Sequence, residues 1–206
     1  MHRDRIKWNE KYRRQDYPTE PSRILKDFFS MALGGTALDL AAGSGRNALF
    51  LAERGFAVDA VDISEEGLAL FAGRHPGIRP ICADLDTFDI PIERYDLILN
   101  ILFLNRRLFP QIREGLRPGG MLIFETLIEM PGGAGHGERC RDYFLRPNEL
   151  LHSFLSLRIL HYREEYDTGQ DEHRRLASLV AVRPHGHFTS RGGCSRAASG
   201  HEAVLP

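Results

Sequence analysis

Cysteine, tryptophan, net charge and long apolar runs are all scarce in this sequence. Its 206 residues include three cysteines and one tryptophan, and the formal net charge is −1. The cysteines form no CxxC pair, which argues against a disulfide framework or a zinc site and favours a reducing cytoplasm. A net charge near zero provides no general attraction to nucleic acid or to an anionic membrane. The N-terminus lacks an apolar signal segment, and no apolar run approaches the roughly 20 residues that span a bilayer.

The stretch from Thr36 to Gly55, TALDLAAGSGRNALFLAERG, organises the predicted fold. A short apolar run leads into the turn Gly43-Ser44-Gly45, and apolar residues at helical spacing follow it. A strand, a glycine turn and a helix open the nucleotide-binding βαβ unit. Asp39 interrupts the apolar run, and a buried carboxylate is costly unless it has a partner. We therefore expect either the fold or a cationic ligand to provide that partner.

Strands and helices alternate from this stretch to residue 128. Further strands are predicted at 56–63, 78–85, 95–104 and 121–128. Such alternation requires parallel strands with right-handed crossovers. The run 95–104 is the most apolar, so we place it at the centre of the sheet. Two final runs, 157–166 and 176–182, are separated by polar residues only and predict an antiparallel pair.

The two ends of the chain differ from its middle. The predicted divisions are a basic N-terminal segment at 1–21, a main domain at 22–183 and a disordered tail at 184–206. The N-terminal segment contains Trp8, Tyr12 and Tyr17, and it is either a solvated helix docked on the main domain or a flap over a bound ligand. The tail lacks periodicity. Its closely spaced histidines, His185 and His187, have no third partner, so no metal site is predicted.

Three acids help to separate the possible ligands of the glycine turn. Asp62 ends the second predicted strand, about 20 residues after the turn, where a carboxylate accepts ribose hydroxyls of NAD and S-adenosylmethionine alike. Asp84 ends the third predicted strand and would face the adenine edge. Asp39 would repel a pyrophosphate and attract the ammonium of an aminoacyl ligand. Because S-adenosylmethionine carries an ammonium, a sulfonium and no phosphate, the acids favour it over NAD.

These residues lie in the motifs DLAAGSGRNALFLA, AVDIS, CADL, YDLILNILFL and LRPGGMLIFE. In these motifs, and over residues 20–183, the sequence resembles the class I S-adenosylmethionine-dependent methyltransferases. The segments WNEKY and FLRPNELLHSF are similar to the tellurite-resistance-type group of small-molecule methyltransferases. The resemblance implies an α/β fold, a doubly wound, Rossmann-like sheet of seven strands in the order 3-2-1-4-5-7-6. Strand 7 is expected to be antiparallel, and helices to cover both faces of the sheet.

The resemblance also implies which residues bind the cofactor. The implied set is Asp39, Ala41, Gly43 and Gly45 on the methionine side, Asn47 at the helix start, Asp62 and Ile63 at the ribose, Asp84 and Leu85 at the adenine, and Asn100 near the methyl group. Structural interpretations stand beside these roles. The glycines serve a tight turn, Asp84 serves a turn rich in acids, Asn47 lies on a helix surface, and Asn100 satisfies backbone at a strand end.

The predicted function is methyl transfer to a small molecule, either a soft nucleophile such as a thiol, selenium or tellurium species, or a small metabolite. A soft nucleophile needs no general base, whereas a hydroxyl or amine does. His136, in the glycine-rich loop 129–146, is the one candidate base, although a solvated loop histidine is the commoner case. Asn100-Ile101-Leu102-Phe103 lacks the prolines of the Asn/Asp-Pro-Pro motif, which argues against nucleic-acid substrates. A nicotinamide-dependent reductase and a cofactor-binding protein without catalysis stay open as alternatives, as does the oligomeric state.

Overall fold

The computed structural model describes residues 2–15, 17–129, 143–165 and 175–185. The loop that contains His136 lies outside the described residues, and so does the predicted tail from residue 186 onward. Within the described part of the chain, no helix is long and apolar enough to cross a membrane. In the same part, no three His, Cys, Asp or Glu side chains are grouped so that they could hold a metal ion.

Seven strands form a single sheet in the order β3-β2-β1-β4-β5-β7-β6. The strands are β1 (Thr36–Leu40), β2 (Ala57–Asp62), β3 (Ile78–Cys82), β4 (Tyr95–Ile101), β5 (Leu116–Leu127), β6 (Arg158–Glu165) and β7 (Leu176–Val182). Strands β1 to β5 pair in parallel, whereas β7 is antiparallel to both β5 and β6. The predicted strand order and the antiparallel seventh strand are confirmed, with β4 next to β1 near the centre and β3 at an edge.

Helices cover both faces of the sheet. They are α1 (His2–Arg13), α2 (Arg23–Phe28) with a 3₁₀ turn (Phe29–Met31), α3 (Arg46–Ala52), α4 (Glu65–Ala69), α5 (Leu108–Gly115) and α6 (Glu149–Ser153). Leu38 and Leu40 of β1 point to one face and pack in the core that holds α5 and α6. Ala37 points to the opposite face, in the core that holds α2, α3 and α4. Alternate side chains of one strand thus serve two cores, and the predicted three-layer arrangement is confirmed.

Strand β5 begins earlier than the sequence predicts. The sequence suggests a break at Pro118-Gly119-Gly120, yet Leu116 already pairs with Tyr95. The N–H of Gly119 donates to the carbonyl of Arg183 at 2.8 Å, and the N–H of Arg183 donates to the carbonyl of Gly120 at 2.8 Å. These bonds to Arg183, the residue after β7, keep the glycine segment in the sheet. Tertiary pairing therefore overrides the local turn preference.

Two serines precede helices, and only one of them caps through its side chain. Ser64 Oγ accepts from the N–H of Gly67 at 3.0 Å, as expected for the residue before α4. Ser22 stands before α2, but its hydroxyl makes no capping hydrogen bond and is buried without a partner among the described residues. A serine before a helix favours a side-chain cap; at Ser22 that expectation from the sequence is wrong, although α2 does begin directly after this residue.

The strand order fixes where a ligand site can lie. Strand β1 has β2 on one side and β4 on the other, so the chain reverses its direction of winding at this point. Ligands of open α/β sheets bind at such a switch point, outside the carboxyl ends of the strands. The glycine turn follows β1 directly, and the fold therefore places it at this edge.

Candidate active site

A cleft of about 750 Å³ opens at the carboxyl ends of β1 to β5. The residues after β1, β2 and β3 form one part of its lining, and the residues at the ends of β4 and β5 form another. Helix α1 and the segment that follows it complete the wall. Seven of the ten predicted cofactor residues line this cleft, namely Ala41, Gly43, Asn47, Asp62, Ile63, Asp84 and Leu85. Asp39, Gly45 and Asn100 do not line it.

Asp62 joins the glycine turn to the end of β2. Its Oδ2 accepts from the N–H of Gly43 and its Oδ1 from the N–H of Ser64, both at 2.8 Å. Burial raises the pKa of Asp62, and the hydrogen bonds from these N–H groups oppose that rise. The carboxylate therefore has a structural role, and it also reaches the cleft.

Each glycine of the turn is required for a separate reason. Both have positive φ, 56° at Gly43 and 73° at Gly45, which favours glycine. A Cβ at Gly43 would lie 2.3 Å from Tyr12 Oη, and a Cβ at Gly45 would lie 2.2 Å from the ring of Phe71. Gly45 is thus explained by packing against Phe71 and not by a position on the cleft surface.

Asp39 is almost fully buried, with 1% of its surface exposed. Its Oδ2 has no hydrogen-bond partner among the described residues. Burial raises the pKa of Asp39 to about 7; the charge of Arg46 lowers it, that of Asp62 raises it further, and the N–H of Ala48 lowers it. The fold therefore gives the buried carboxylate of Asp39 only some of the hydrogen bonds and opposite charge that it needs.

The remaining predicted polar residues all bond within the protein. Asn47 Oδ1 accepts from the N–H of Ser22 at 2.9 Å, and Asp84 Oδ1 accepts from the N–H of Asp86 at 3.0 Å. Asn100 Nδ2 donates to the carbonyl of Phe103 at 2.7 Å. The structural interpretations of Asp84 and Asn100 are thus realised, whereas Asn47 is buried at 5% exposure and does not lie on the helix surface. Asn47 and Asp84 line the cleft as well. Asn100 does not line it, and its side chain instead stabilises the turn after β4.

The turn after β4 contains lining residues that the sequence does not identify as a site. The predicted strand runs to Leu104, but β4 ends at Ile101, and the next three residues turn into the cleft. Leu102 has a φ of 57°, and Ala41, directly after β1, has a φ of 55°. Such conformations are costly for residues other than glycine and cluster at functional sites. Thr126 and Leu127 of β5 extend this apolar part of the cleft.

Helix α1 lies over the cleft and is attached to α4. Asn9 Oδ1 accepts from Ser64 Oγ at 2.6 Å, and Arg13 forms an ion pair with Glu66 at 2.8 Å. The ring centroids of Trp8 and Tyr12 are 6.2 Å apart in a stacked arrangement, and both side chains line the cleft. The N-terminal segment thus forms part of the site wall.

The chain has the fold of solved S-adenosylmethionine-dependent methyltransferases. Residues 37–120 match the family described as a methyltransferase domain. This match covers less than half of the chain, and solved structures of low sequence identity share its fold. No curated protein matches the chain significantly.

Three solved structures illustrate the similarity. TehB from Haemophilus influenzae is 20% identical, with a TM-score of 0.67 over 85% of this chain and 67% of its own. An S-adenosylmethionine-dependent methyltransferase from Mesorhizobium loti is 22% identical, with a TM-score of 0.64 over 81% of this chain and 100% of its own. The Burkholderia thailandensis 1,6-didemethyltoxoflavin-N1-methyltransferase, solved with bound 1,6-didemethyltoxoflavin and S-adenosylhomocysteine, is 19% identical, with a TM-score of 0.65 over 87% of each chain.

Proposed function

We propose that the protein transfers the methyl group of S-adenosylmethionine to a small molecule held between α1 and the ends of β4 and β5. The observation that carries this proposal is that one cleft has an acidic part, Asp62 and Asp84 after β2 and β3, and an apolar part, Leu102 to Leu104 after β4, among lining residues that also include Lys7, Lys11, Arg106 and Arg107. Acids suit the ammonium, the ribose hydroxyls and the adenine amino group of the cofactor. The apolar part suits an acceptor that must be brought close to the sulfonium in a site poor in water.

The proposed roles of the residues follow their positions. Asp62 with Ile63 holds the ribose, Asp84 with Leu85 holds the adenine, Ala41 and Gly43 border the methionine chain, and Asp39 acts on its ammonium. Gly45 and Asn47 position the turn through Phe71 and Ser22. Asn100 shapes the turn after β4 beside the methyl group. These last three residues act through their neighbours, because their side chains or packing partners lie within the protein.

The glycine turn is a poor site for the pyrophosphate of NAD. A dinucleotide site needs backbone N–H groups that are free to bind phosphate oxygens. Here the N–H of Gly43 donates to Asp62 and the N–H of Gly45 donates to the carbonyl of Ala42 at 3.0 Å. Asp39 adds negative charge nearby. These observations favour methyl transfer over the reductase alternative.

The acceptor is proposed to be small and a soft nucleophile. Helix α1 lines the cleft, whose volume of about 750 Å³ lies in the range of small-molecule sites. No histidine is among the described residues that line the cleft, and a thiolate, selenide or reduced tellurium species needs none. Displacement at an activated sulfonium depends mainly on proximity and orientation, which supply roughly 7–11 kcal/mol of the barrier. The resemblance to the tellurite-resistance-type group supports the same class of acceptor.

Two measurements test the proposed function. Titration calorimetry with S-adenosylhomocysteine and with NADH compares the two cofactor classes, and we expect binding of the first alone. An activity screen with thiols, selenite, tellurite under reducing conditions and small hydroxylated molecules then follows the release of S-adenosylhomocysteine. Binding without product from any acceptor would favour the alternative of a cofactor-binding protein without catalysis. Failure to bind S-adenosylhomocysteine would contradict the proposal itself.

A further inference from the structure

Tyr12 lies in a slot formed by two glycines. A Cβ at Gly43 would lie 2.3 Å from Tyr12 Oη, and a Cβ at Gly67 would lie 2.9 Å from Tyr12 Cε2. The tyrosine therefore reaches across from α1 to the turn after β1 and to the first turns of α4. It also lines the cleft. Its hydroxyl thus stands at the turn that the aminoacyl end of the proposed cofactor would occupy.

The tyrosine hydroxyl makes no hydrogen bond to any residue that the structure describes. Burial raises the pKa of Tyr12, and the charges of Asp62 and Asp39 raise it further. The hydroxyl is therefore protonated throughout the physiological range and remains a donor. In β1, which leads into the same turn, Asp39 Oδ2 is a buried acceptor that has no partner within the described ranges. Among the described residues, one donor and one acceptor near this turn are thus unsatisfied.

An aminoacyl group has the complementary chemistry, since its carboxylate accepts hydrogen bonds and its ammonium donates them. We propose that Tyr12 is a cofactor-binding residue, whose hydroxyl donates to the carboxylate of the aminoacyl group while Asp39 attracts its ammonium. The inference rests on the proposed function and deepens it, because it assigns to α1 a part in selecting cofactors that carry the aminoacyl group.

The attachment of α1 sets the position of the hydroxyl. Asn9 binds Ser64, and Arg13 binds Glu66, so both contacts anchor the helix to α4. Arg13 and Glu66 are substantially exposed, at 60% and 40% of their side-chain surfaces. Loss of their ion pair should have a small effect on the helix. Arg13→Gln is therefore a matched control that loosens α1 slightly and keeps the hydroxyl.

The test compares two ligands that differ in the aminoacyl group. S-adenosylhomocysteine contains it, whereas 5′-methylthioadenosine has the same adenosine and thioether without it. Titration calorimetry measures both with the wild type, Tyr12→Phe and Arg13→Gln. For Tyr12→Phe we expect affinity for S-adenosylhomocysteine to fall about 10- to 100-fold, the usual effect of losing a hydrogen bond to a charged group, with affinity for methylthioadenosine unchanged. Arg13→Gln should change both affinities by the same small factor.

Each outcome has a distinct meaning. An equal change for both ligands in Tyr12→Phe, or no change for either, would overturn the role of the hydroxyl while leaving the proposed function intact. Failure of the wild type to bind either ligand would instead contradict the proposed function. A methyl group at Gly67 would lie 2.8 Å from the carbonyl oxygen of Gly43 as well as 2.9 Å from the Tyr12 ring, so the second variant is Tyr12→Leu, which adds no atom against the turn. It should weaken the binding of S-adenosylhomocysteine selectively, and thermal melting should show that both Tyr12 variants remain folded.

Discussion

The acidic and apolar parts of the cleft are built in different ways. In the acidic part, side chains bond to backbone, as Asp62 does to Gly43 and Ser64 and Asp84 does to Asp86. In the apolar part, the chain turns away from β4 through Leu102 at positive φ and presents aliphatic and aromatic side chains. The first part is held by specific hydrogen bonds, so it tolerates little change. The second presents Leu102, Phe103 and Leu104, and the hydrogen bond from Asn100 to the carbonyl of Phe103 holds its turn.

Strain is common to both parts. Ala41 follows β1 and Leu102 follows β4, and neither is glycine despite a φ near 55°. The two carboxyl ends at the switch point are therefore both bent sharply toward the cleft. Both bends direct the chain from the ends of β1 and β4 into the cleft, and strained residues of this kind cluster at functional sites.

Removal of the Asp62 carboxylate should have the largest effect on the acidic part. Asp62→Ala leaves the N–H groups of Gly43 and Ser64 without their acceptors, and each unsatisfied buried group costs about 1–3 kcal/mol. We expect the free energy of unfolding to fall by about 2–5 kcal/mol in denaturant titration. A loss below 0.5 kcal/mol, as expected for ordinary surface substitutions, would show that these hydrogen bonds do not hold the turn. Asp86→Ala, at an exposed position, is the control.

Substitution at Gly45 tests the packing of the glycine turn against Phe71, next to the acidic part of the cleft. Gly45→Ala combines an unfavourable φ with a Cβ 2.2 Å from the ring of Phe71, and we expect it to lose about 2–4 kcal/mol of stability. Gly55 has a φ of 88° and nothing within 4 Å of its Cβ position. Gly55→Ala is therefore a matched control, with an expected loss of about 1 kcal/mol from φ alone. Equal melting temperatures for the two variants would contradict the packing role of Gly45.

Relief of strain at Ala41 should have the smallest effect. Ala41→Gly removes one methyl group at a φ of 55°, and we expect a gain of about 0.5–1 kcal/mol in the free energy of unfolding. Ala42→Gly, at the next position without a positive φ, should instead lose about 0.5–1 kcal/mol. Chemical denaturation of the pair gives the comparison. A loss of stability in both variants would show that Ala41 is not strained.

The sequence predicts the acidic part well because its pattern is local. Asp62 and Asp84 each lie near the end of a predicted strand, and the carboxyl ends of parallel strands meet at one edge of the sheet. The position of Asp39 within an apolar run marks it as unusual, and the structure shows that it is buried, with one oxygen that accepts no hydrogen bond from the part of the chain that is described. The strand order follows from the alternation of elements and from the resemblance to the methyltransferase class.

The apolar part could not be predicted in the same way. The run from Tyr95 to Leu104 is continuously apolar, so nothing local marks the end of β4 at Ile101. The turn there depends on Asn100, which binds the carbonyl of Phe103, and the sequence suggests a ligand contact for Asn100 just as readily. Gly45 is similar, since only the position of Phe71 in the folded protein explains it. Long-range contacts of this kind leave no periodic pattern.

The charge of Asp39 also makes stability depend on pH. Its pKa is about 7 in the folded protein, above the ordinary value of 3.8. The folded state therefore holds this proton more tightly than the unfolded chain does. It follows that the contribution of Asp39 favours the folded state below pH 4 and is lost as pH rises through 7. A bound ammonium nearby would lower the pKa and release the proton.

Proton release on binding tests the central claim that the acidic part receives an aminoacyl ligand. Calorimetry at pH 7, in two buffers with different ionisation enthalpies, gives the number of protons released. We expect S-adenosylhomocysteine to release protons from the protein, because a carboxyl group with a pKa near 7 is partly protonated at this pH. We expect no release with 5′-methylthioadenosine and none in Asp39→Asn. Equal proton release with both ligands, or undiminished release in Asp39→Asn, would contradict the claim.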